Sequence, residues 1–90
     1  MTFILYTARN LSNLYLSPFS KVSLDGGKAI FFQLMFRTAV QLEGKADDLS
    51  ECLRLLRSGI RHENLVEWGV GRFDGFPRWI ERALRAGIIE

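Results

Sequence analysis

The residues best suited to covalent or acid–base chemistry are one cysteine and one histidine, Cys52 and His62. Nucleophilic catalysis needs a nucleophile, a base and a group that orients the base, and no such set is visible along the chain. Cys52 shares the apolar face of a predicted helix with Leu49 and Leu53, where a thiol is buried and inert. We therefore predict an unreactive cysteine and a protein that is not an enzyme.

The same two residues bear on metal binding and on covalent cross-links. With one cysteine and one histidine, the chain lacks the ligands for a mononuclear zinc site built from these residue types. It also cannot form an intramolecular disulfide bond. We expect neither a metal nor another cofactor.

A glycine-rich stretch, WGVGRFDGFPRW at residues 68–79, has a composition that suits either phosphate binding or partner binding. Its G-x-G-x-x-x-G spacing differs from the dinucleotide-binding pattern, and a phosphate loop follows a strand, whereas the preceding NLVEW looks helical. We favour a tight connection between two helices, fastened to the core by Phe73, Phe76 and Trp79. The alternative is a binding epitope in which Arg72, Phe73 and Trp79 are partly exposed, because tryptophan and arginine are enriched at binding hot spots.

Arginine side chains recur at helical spacing in two segments, each on the solvent face of a predicted helix. The two sets are Arg54, Arg57 and Arg61, and Arg78, Arg82 and Arg85. If the two helices pack side by side, the six guanidinium groups share one surface that suits an acidic protein or the phosphates of nucleic acid. The other interpretation is a solvated, self-paired face, because Glu81 can pair with Arg78 or Arg85.

Two helices follow from the spacing of apolar residues. The first spans residues 47–59, where Asp48 and Glu51 have the spacing of a capping box and Gly59 suits a left-handed C-cap. Its apolar positions are Leu49, Cys52, Leu53, Leu56 and Ile60. Residues 62–69 could add two further helical turns.

The last helix is predicted at residues 76–86. Phe76, Trp79, Ile80, Ala83 and Leu84 share one face. Pro77 suits the first helical position, where its missing N–H costs nothing. Asp74 is placed to cap the helix and Gly87 to end it.

The first half of the chain is more ambiguous. Residues 2–8 are β-branched and aromatic and predict a strand, and KVSL at 21–24 could form a second. For residues 28–43 we favour a helix, because polar residues recur every four positions and mark a narrow polar stripe. Those residues are Gln33, Arg37, Gln41 and Lys45. The alternative is a hairpin at residues 22–30, closed by an Asp-Gly turn.

A helix over residues 28–43 would be apolar around most of its circumference. Because a domain of 90 residues has few elements to cover it, some of Phe31, Met35 and Leu42 would remain exposed. Pairing with a symmetric copy removes such exposure, and two-fold dimers are the commonest closed assembly. We therefore expect a homodimer centred on this helix.

The N-terminal sequence MTFILYTAR has no basic region ahead of its short apolar run, so it does not resemble a signal peptide. No window approaches the roughly 18 apolar residues that a membrane helix needs. We expect a soluble, cytoplasmic protein that does not bind membranes.

Together these observations predict a single α+β domain that is mostly α, with one or two short N-terminal strands followed by three main helices. We expect a small, non-catalytic protein-interaction module that self-associates. The alternative is a small nucleic-acid-binding regulator that uses the arginine-lined helix faces. The candidate partner-binding residues are Arg72, Phe73, Trp79, Arg78, Arg82, Arg85, Phe31 and Met35.

Overall fold

A computed structural model describes residues 13–90, and the strand predicted at residues 2–8 lies outside this range. In the described range four strands come first, followed by a helix, a short fifth strand and two further helices. They are β1 (Asn13–Leu14), β2 (Ser20–Asp25), β3 (Lys28–Gln33), β4 (Thr38–Glu43), α1 (Ala46–Ser58), β5 (Ile60–Arg61), α2 (His62–Val70) and α3 (Phe76–Arg85).

The helix predicted over residues 28–43 is wrong, and with it the prediction of a mostly helical chain with its strands confined to the N-terminus. These residues form β3 and β4, which pair antiparallel. The hairpin alternative is correct for the preceding turn, where Gly26 at φ 61° stands first in the two-residue connection between β2 and β3. This conformation is typical of type II′ hairpins and favours glycine.

The polar pattern misled because its members do not share one face in the structure. Gln33 lies on the buried face of β3, Arg37 lies in the following turn, and Gln41 is exposed on β4 opposite Ile30, on the other face of the sheet. The burial of β3 follows the two-residue repeat of a strand, since Ala29, Phe31 and Gln33 are buried and their neighbours are more exposed. Gln33 is buried with both ends of its amide bonded, to the Gly87 carbonyl (3.0 Å) and the Met35 N–H (2.7 Å).

The main sheet has the order β2-β3-β4, and its register decides where the backbone groups of β4 point. In an antiparallel pair, hydrogen-bonded and non-bonded residue pairs alternate. The N–H of Gly44 donates to the Gly27 carbonyl (2.9 Å), so the next bonded residue pairs toward the β3–β4 turn are Leu42 with Ala29 and Val40 with Phe31. The intervening residues of β4, at positions 39, 41 and 43, therefore direct their N–H and C=O groups away from β3, toward an edge that has no strand partner within residues 13–90.

One face of this sheet packs against the helices. Phe31 lies at the centre of the contact, with Ala29 and Leu42 beside it. The helices and the C-terminal segment contribute Leu49, Cys52, Leu53, Leu56, Leu65, Phe76, Trp79, Ile80, Ala83, Ile88 and Ile89. A core built in this way fixes α3 against β4, and these two elements frame a sizeable cleft.

The helices predicted at residues 47–59 and 76–86 are present as α1 and α3, with bounds within one residue of the prediction. The N-cap of α1 is Lys45, so Asp47 and Asp48 fall within the first turn, where carboxylates interact favourably with the helix dipole. Gly59 ends α1 at the predicted position and donates its N–H to the Leu55 carbonyl, but its φ of 92° and ψ of 131° are not the left-handed helical conformation that was predicted. For α3, however, the N-cap is Gly75 in the left-handed conformation rather than Asp74.

Candidate functional site

A cleft of about 830 Å³ lies between β4 and α3. One wall is formed by residues 39–44, and the other by Arg78, Trp79 and Arg82 of α3. The loop before α3 contributes Arg72, Asp74 and Gly75.

Two contacts show that α3 runs antiparallel alongside β4. At the start of β4, the Thr38 hydroxyl donates to the carbonyl of Ala86, just after the end of α3 (2.9 Å). Beyond the other end of β4, Gly44 lies so close to the Phe73 ring that a Cβ there would come within 2.5 Å of it. The cleft therefore follows the full length of the strand, with the N-terminus of α3 near Gly44.

The wall formed by β4 is its free edge, which has no strand partner within residues 13–90. Side chains of successive strand residues point to opposite faces of a sheet, yet every residue from Ala39 to Gly44 lines the cleft. Consecutive residues belong to opposite faces of the sheet. A surface that contains all of them must therefore also contain the strand edge, which lies between the two faces. The outward N–H and C=O groups of Ala39, Gln41 and Glu43 consequently border the cleft.

The opposite wall carries guanidinium groups without carboxylate partners. Within residues 13–90, neither Arg78 nor Arg82 has a carboxylate oxygen within 4.0 Å, and Glu81 on the same helix pairs with neither. Arg72 is engaged instead, since it lies over the Trp68 ring (4.9 Å), donates to the Trp68 carbonyl and approaches the Asp48 carboxylate (3.6 Å).

The carboxylates of the cleft belong to Glu43 and Asp74. Both are close in sequence to the Gly44–Phe73 contact, so they lie at the end where α3 begins. The Glu43 carboxylate accepts a hydrogen bond from the Gln41 side chain (2.7 Å). The negative groups are thus gathered at one end of the cleft, and Arg78 and Arg82 lie farther along it.

Trp79 forms a rigid part of the cleft and is only 5% exposed. Its ring meets Phe31 edge-on at 5.1 Å between centroids and stacks on Phe76 at 5.6 Å. Its indole N–H is buried without a hydrogen-bond acceptor among residues 13–90. A buried unpaired donor costs about 1–3 kcal/mol, so this N–H reduces the stability that Trp79 gains from its packing.

The structure divides the sequence-predicted partner residues. Arg72, Arg78 and Arg82 line the cleft together with Trp79, whereas Arg85 is exposed outside it. Phe73 is a core residue, stacked on Phe76 at 5.2 Å. The favoured interpretation of residues 68–79 as a connection fastened to the core agrees with this packing, and the exposed epitope does not, except at Arg72.

Phe31 and Leu42 are also core residues, so the expectation that Phe31 contributes to an exposed dimer surface was wrong. Met35 is exposed, at 64%. It lies in the β3–β4 turn between Leu34 and Phe36, which are equally exposed, and the Leu34 N–H donates to the carbonyl of exposed Phe19 (3.0 Å). We call these four residues the apolar turn surface.

The shared six-arginine surface is not formed. In the structure α3 packs on α2 and β4 and not along α1. Arg54 is bonded to Glu51, and this hydrogen bond lowers the pKa of the Glu51 carboxyl. Arg61 pairs with Glu63 (3.5 Å).

Cys52 is fully buried, and burial raises the pKa of its thiol to about 12. Residues 13–90 contain no group of three His, Cys, Asp or Glu side chains that could hold a metal ion. Within the same range, no helix is both long enough and apolar enough to cross a membrane.

Comparison of the chain with protein-family models, with curated proteins and with solved structures found no match. The site therefore has to be judged on its geometry. Sequence reasoning found the arginines and Trp79 but missed the β4 edge, because residues 38–43 were assigned to a helix. The signal that could have found the edge is the Asp25-Gly26-Gly27 turn, which places the following residues in a sheet.

Proposed function

We propose that this protein is a non-catalytic interaction module that binds an extended segment of another protein in the cleft between β4 and α3. The observation that carries the proposal is the free edge of β4, which faces the cleft with the backbone groups of Ala39, Gln41 and Glu43. An extended peptide can add to such an edge as a further strand, with backbone hydrogen bonds supplying affinity.

The remaining groups of the cleft suit binding. The guanidinium groups of Arg78 and Arg82 are exposed hydrogen-bond donors. A peptide offers acceptors to each of them, in its carbonyl groups and its carboxylates. Because Trp79 is held between Phe31 and Phe76, this wall is pre-organised and loses little freedom on binding.

The proposal is tested by selecting ligands from a phage-displayed library of random heptapeptides and then methylating the backbone nitrogens of a selected peptide one at a time. Strand pairing predicts that methylation weakens binding at every second position, because only alternate N–H groups face β4. Failure to enrich any peptide contradicts the proposal, and so does equal tolerance of methylation at every position.

A pair of substitutions locates the binding edge. Gln41→Pro removes the outward N–H and should abolish binding of the selected peptide. Gln41→Ala removes the same side chain but keeps the N–H, so it should bind as the original protein does. Equal binding by both variants would show that the peptide does not pair with β4.

Binding of nucleic acid is the competing outcome. It is supported only by the separate arginine faces, because α1 and α3 do not form a common basic surface. Retardation of DNA or RNA that is lost with rising salt concentration, with no peptide enriched from the library, would favour this function instead.

We also propose that the protein self-associates as a homodimer through the apolar turn surface of Phe19, Leu34, Met35 and Phe36. The specific observation is that these large apolar side chains are adjacent and each more than 50% exposed. A second copy brings a surface of the same chemistry, as a two-fold contact requires. Light scattering, which gives the mass in solution, tests this proposal.

A further inference from the structure

We infer that the segment bound in the cleft carries two acidic side chains separated by one residue, and that Arg78 and Arg82 bind them. The inference rests on the proposed function, since it specifies the side chains of a peptide strand already paired with β4. It concerns the chemical class of the partner, an acidic protein segment in extended conformation.

The spacing of the two arginines matches the spacing of alternate strand residues. Arg78 and Arg82 are four residues apart in α3, which corresponds to about 6 Å along a helix at 1.5 Å per residue. Two residues of a β-strand span about 6.6 Å. Because α3 runs alongside β4, side chains at positions i and i+2 of an added strand meet successive arginines.

The alternation of a strand also selects the side of the ligand that reaches α3. Neighbouring side chains of an added strand point to opposite faces of the extended sheet. One set shares the inner face of Thr38, Val40 and Leu42, which is the side on which α3 packs. The set on the other face points away from Arg78 and Arg82, so the two faces of the ligand have different requirements.

The charges of the cleft favour an anionic ligand group beside Arg78 and Arg82, but not at the end where α3 begins. Arg78 and Arg82 lack carboxylate partners within the described residues, while Arg72 already approaches Asp48. Glu43 and Asp74 lie at the end near the start of α3. An acidic pair bound by Arg78 and Arg82 avoids these carboxylates, whereas an acidic residue placed at that end would be repelled.

The probes that test this inference are acetylated, amidated heptapeptides that differ only in their charged positions. The first, Thr-Val-Glu-Val-Glu-Val-Thr, carries the acidic pair with one residue between. The second replaces both glutamates by glutamine. The third, Thr-Glu-Val-Val-Val-Glu-Thr, keeps the composition of the first but moves the glutamates apart.

Binding is followed by tryptophan fluorescence in a Trp68→Phe variant, which leaves Trp79 in the cleft as the only tryptophan. We expect the first peptide to bind about tenfold more tightly than the second, since two partly exposed ion pairs together supply a difference of this order. The third peptide should resemble the second. The advantage of the first should shrink as salt rises, because exposed charges are screened.

Matched arginine variants assign the effect to the cleft. In the Arg78→Gln, Arg82→Gln double variant the first peptide should lose its advantage over the second. Arg85→Gln removes an exposed arginine from the same helix but outside the cleft and should leave the advantage unchanged.

The outcomes separate this inference from the proposed function. If the first and second peptides bind equally and Gln41→Pro abolishes the binding of both, the acidic pair is overturned while strand addition stands. If the third peptide equals the first, attraction is nonspecific and the spacing argument is overturned. If no peptide binds, including those selected from the library, the proposed function and this inference fail together.

Discussion

Burial raises the pKa of the Cys52 thiol to about 12 from an ordinary value of 9.0. Below the pKa of the unfolded chain, such a group contributes its full stabilisation to the folded state. As the pH rises above that pKa, the unfolded chain ionises first and the stabilisation is lost. Between pH 9 and 12, unfolding should therefore become easier. At about pH 10, one unit above the unfolded pKa, the thiolate exceeds the thiol about tenfold in the unfolded chain. The free energy of unfolding is then lower by about 1.4 kcal/mol.

The measurement is urea unfolding of the original protein and of Cys52→Ala at about pH 8 and about pH 10. The other titrating groups are common to both proteins, so their effects cancel in the difference. The difference in unfolding free energy between the two proteins should shrink at the higher pH. An unchanged difference would mean that the thiol is not buried in solution. Slow labelling by a thiol reagent under native conditions is the independent check, since only the thiolate reacts.

Two glycines near α3 make a matched test of packing. A Cβ on Gly69 would lie 2.1 Å from the Phe76 ring, whereas a Cβ on Gly71 would have no atom within 4 Å. Gly69→Ala should therefore destabilise the protein by about 1–3 kcal/mol, the usual result of overpacking a core. Gly71→Ala, at a φ of −84° that any residue adopts, should change stability by less than about 0.5 kcal/mol. Equal effects in urea unfolding would show that Phe76 is not packed against α2.

At the level of the secondary-structure elements, proline can test the register that leaves the β4 edge free. Val40→Pro removes an N–H that bonds to β3, while Gln41→Pro removes one directed away from it. Because proline is tolerated only where the strand N–H has no partner, Val40→Pro should be the more destabilising by at least about 2 kcal/mol.

Val40→Ala and Gln41→Ala are the controls in this comparison, since they remove the side chains but keep both N–H groups. The free energies of unfolding in urea provide the comparison. Should Gln41→Pro unfold the protein as readily as Val40→Pro, the assignment of outward-facing groups on β4 would be incorrect, and the proposed binding edge with it.

For the whole molecule, the assembly in solution depends on the apolar turn surface. We expect light scattering at micromolar concentration to report twice the monomer mass of 10.3 kDa. Met35→Asp should give a monomer of unchanged stability, because Met35 is 64% exposed and contributes to the proposed contact rather than to the core. Burying a charge in an apolar contact is unfavourable unless it is paired.

Ser50→Asp, which places the same charge on the exposed face of α1, is the control and should remain a dimer. A monomeric original protein would refute self-association through this surface. A stable Met35→Asp dimer would place the contact elsewhere on the molecule.

The sequence by itself determined α1 and α3, because amphipathic spacing and glycine caps are local properties of the chain. It also placed Cys52 in the core, since its neighbours Leu49 and Leu53 follow the same helical phase. The buried packing of Phe73 and Trp79 followed from the favoured interpretation of residues 68–79. In each case the deciding pattern lies within one short segment of the chain.

Only the tertiary structure decided the secondary structure of residues 28–43 and the position of the cleft. Polar residues at every fourth position suggested a helix, but the outcome depended on pairing across turns and on burial against distant helices. That pairing sent Phe31 and Leu42 into the core, left Met35 exposed in a turn, and turned the backbone of Gln41 outward. The cleft then exists because the Thr38–Ala86 and Gly44–Phe73 contacts hold α3 along the edge of β4, and such contacts between distant segments leave no periodic signal in the sequence.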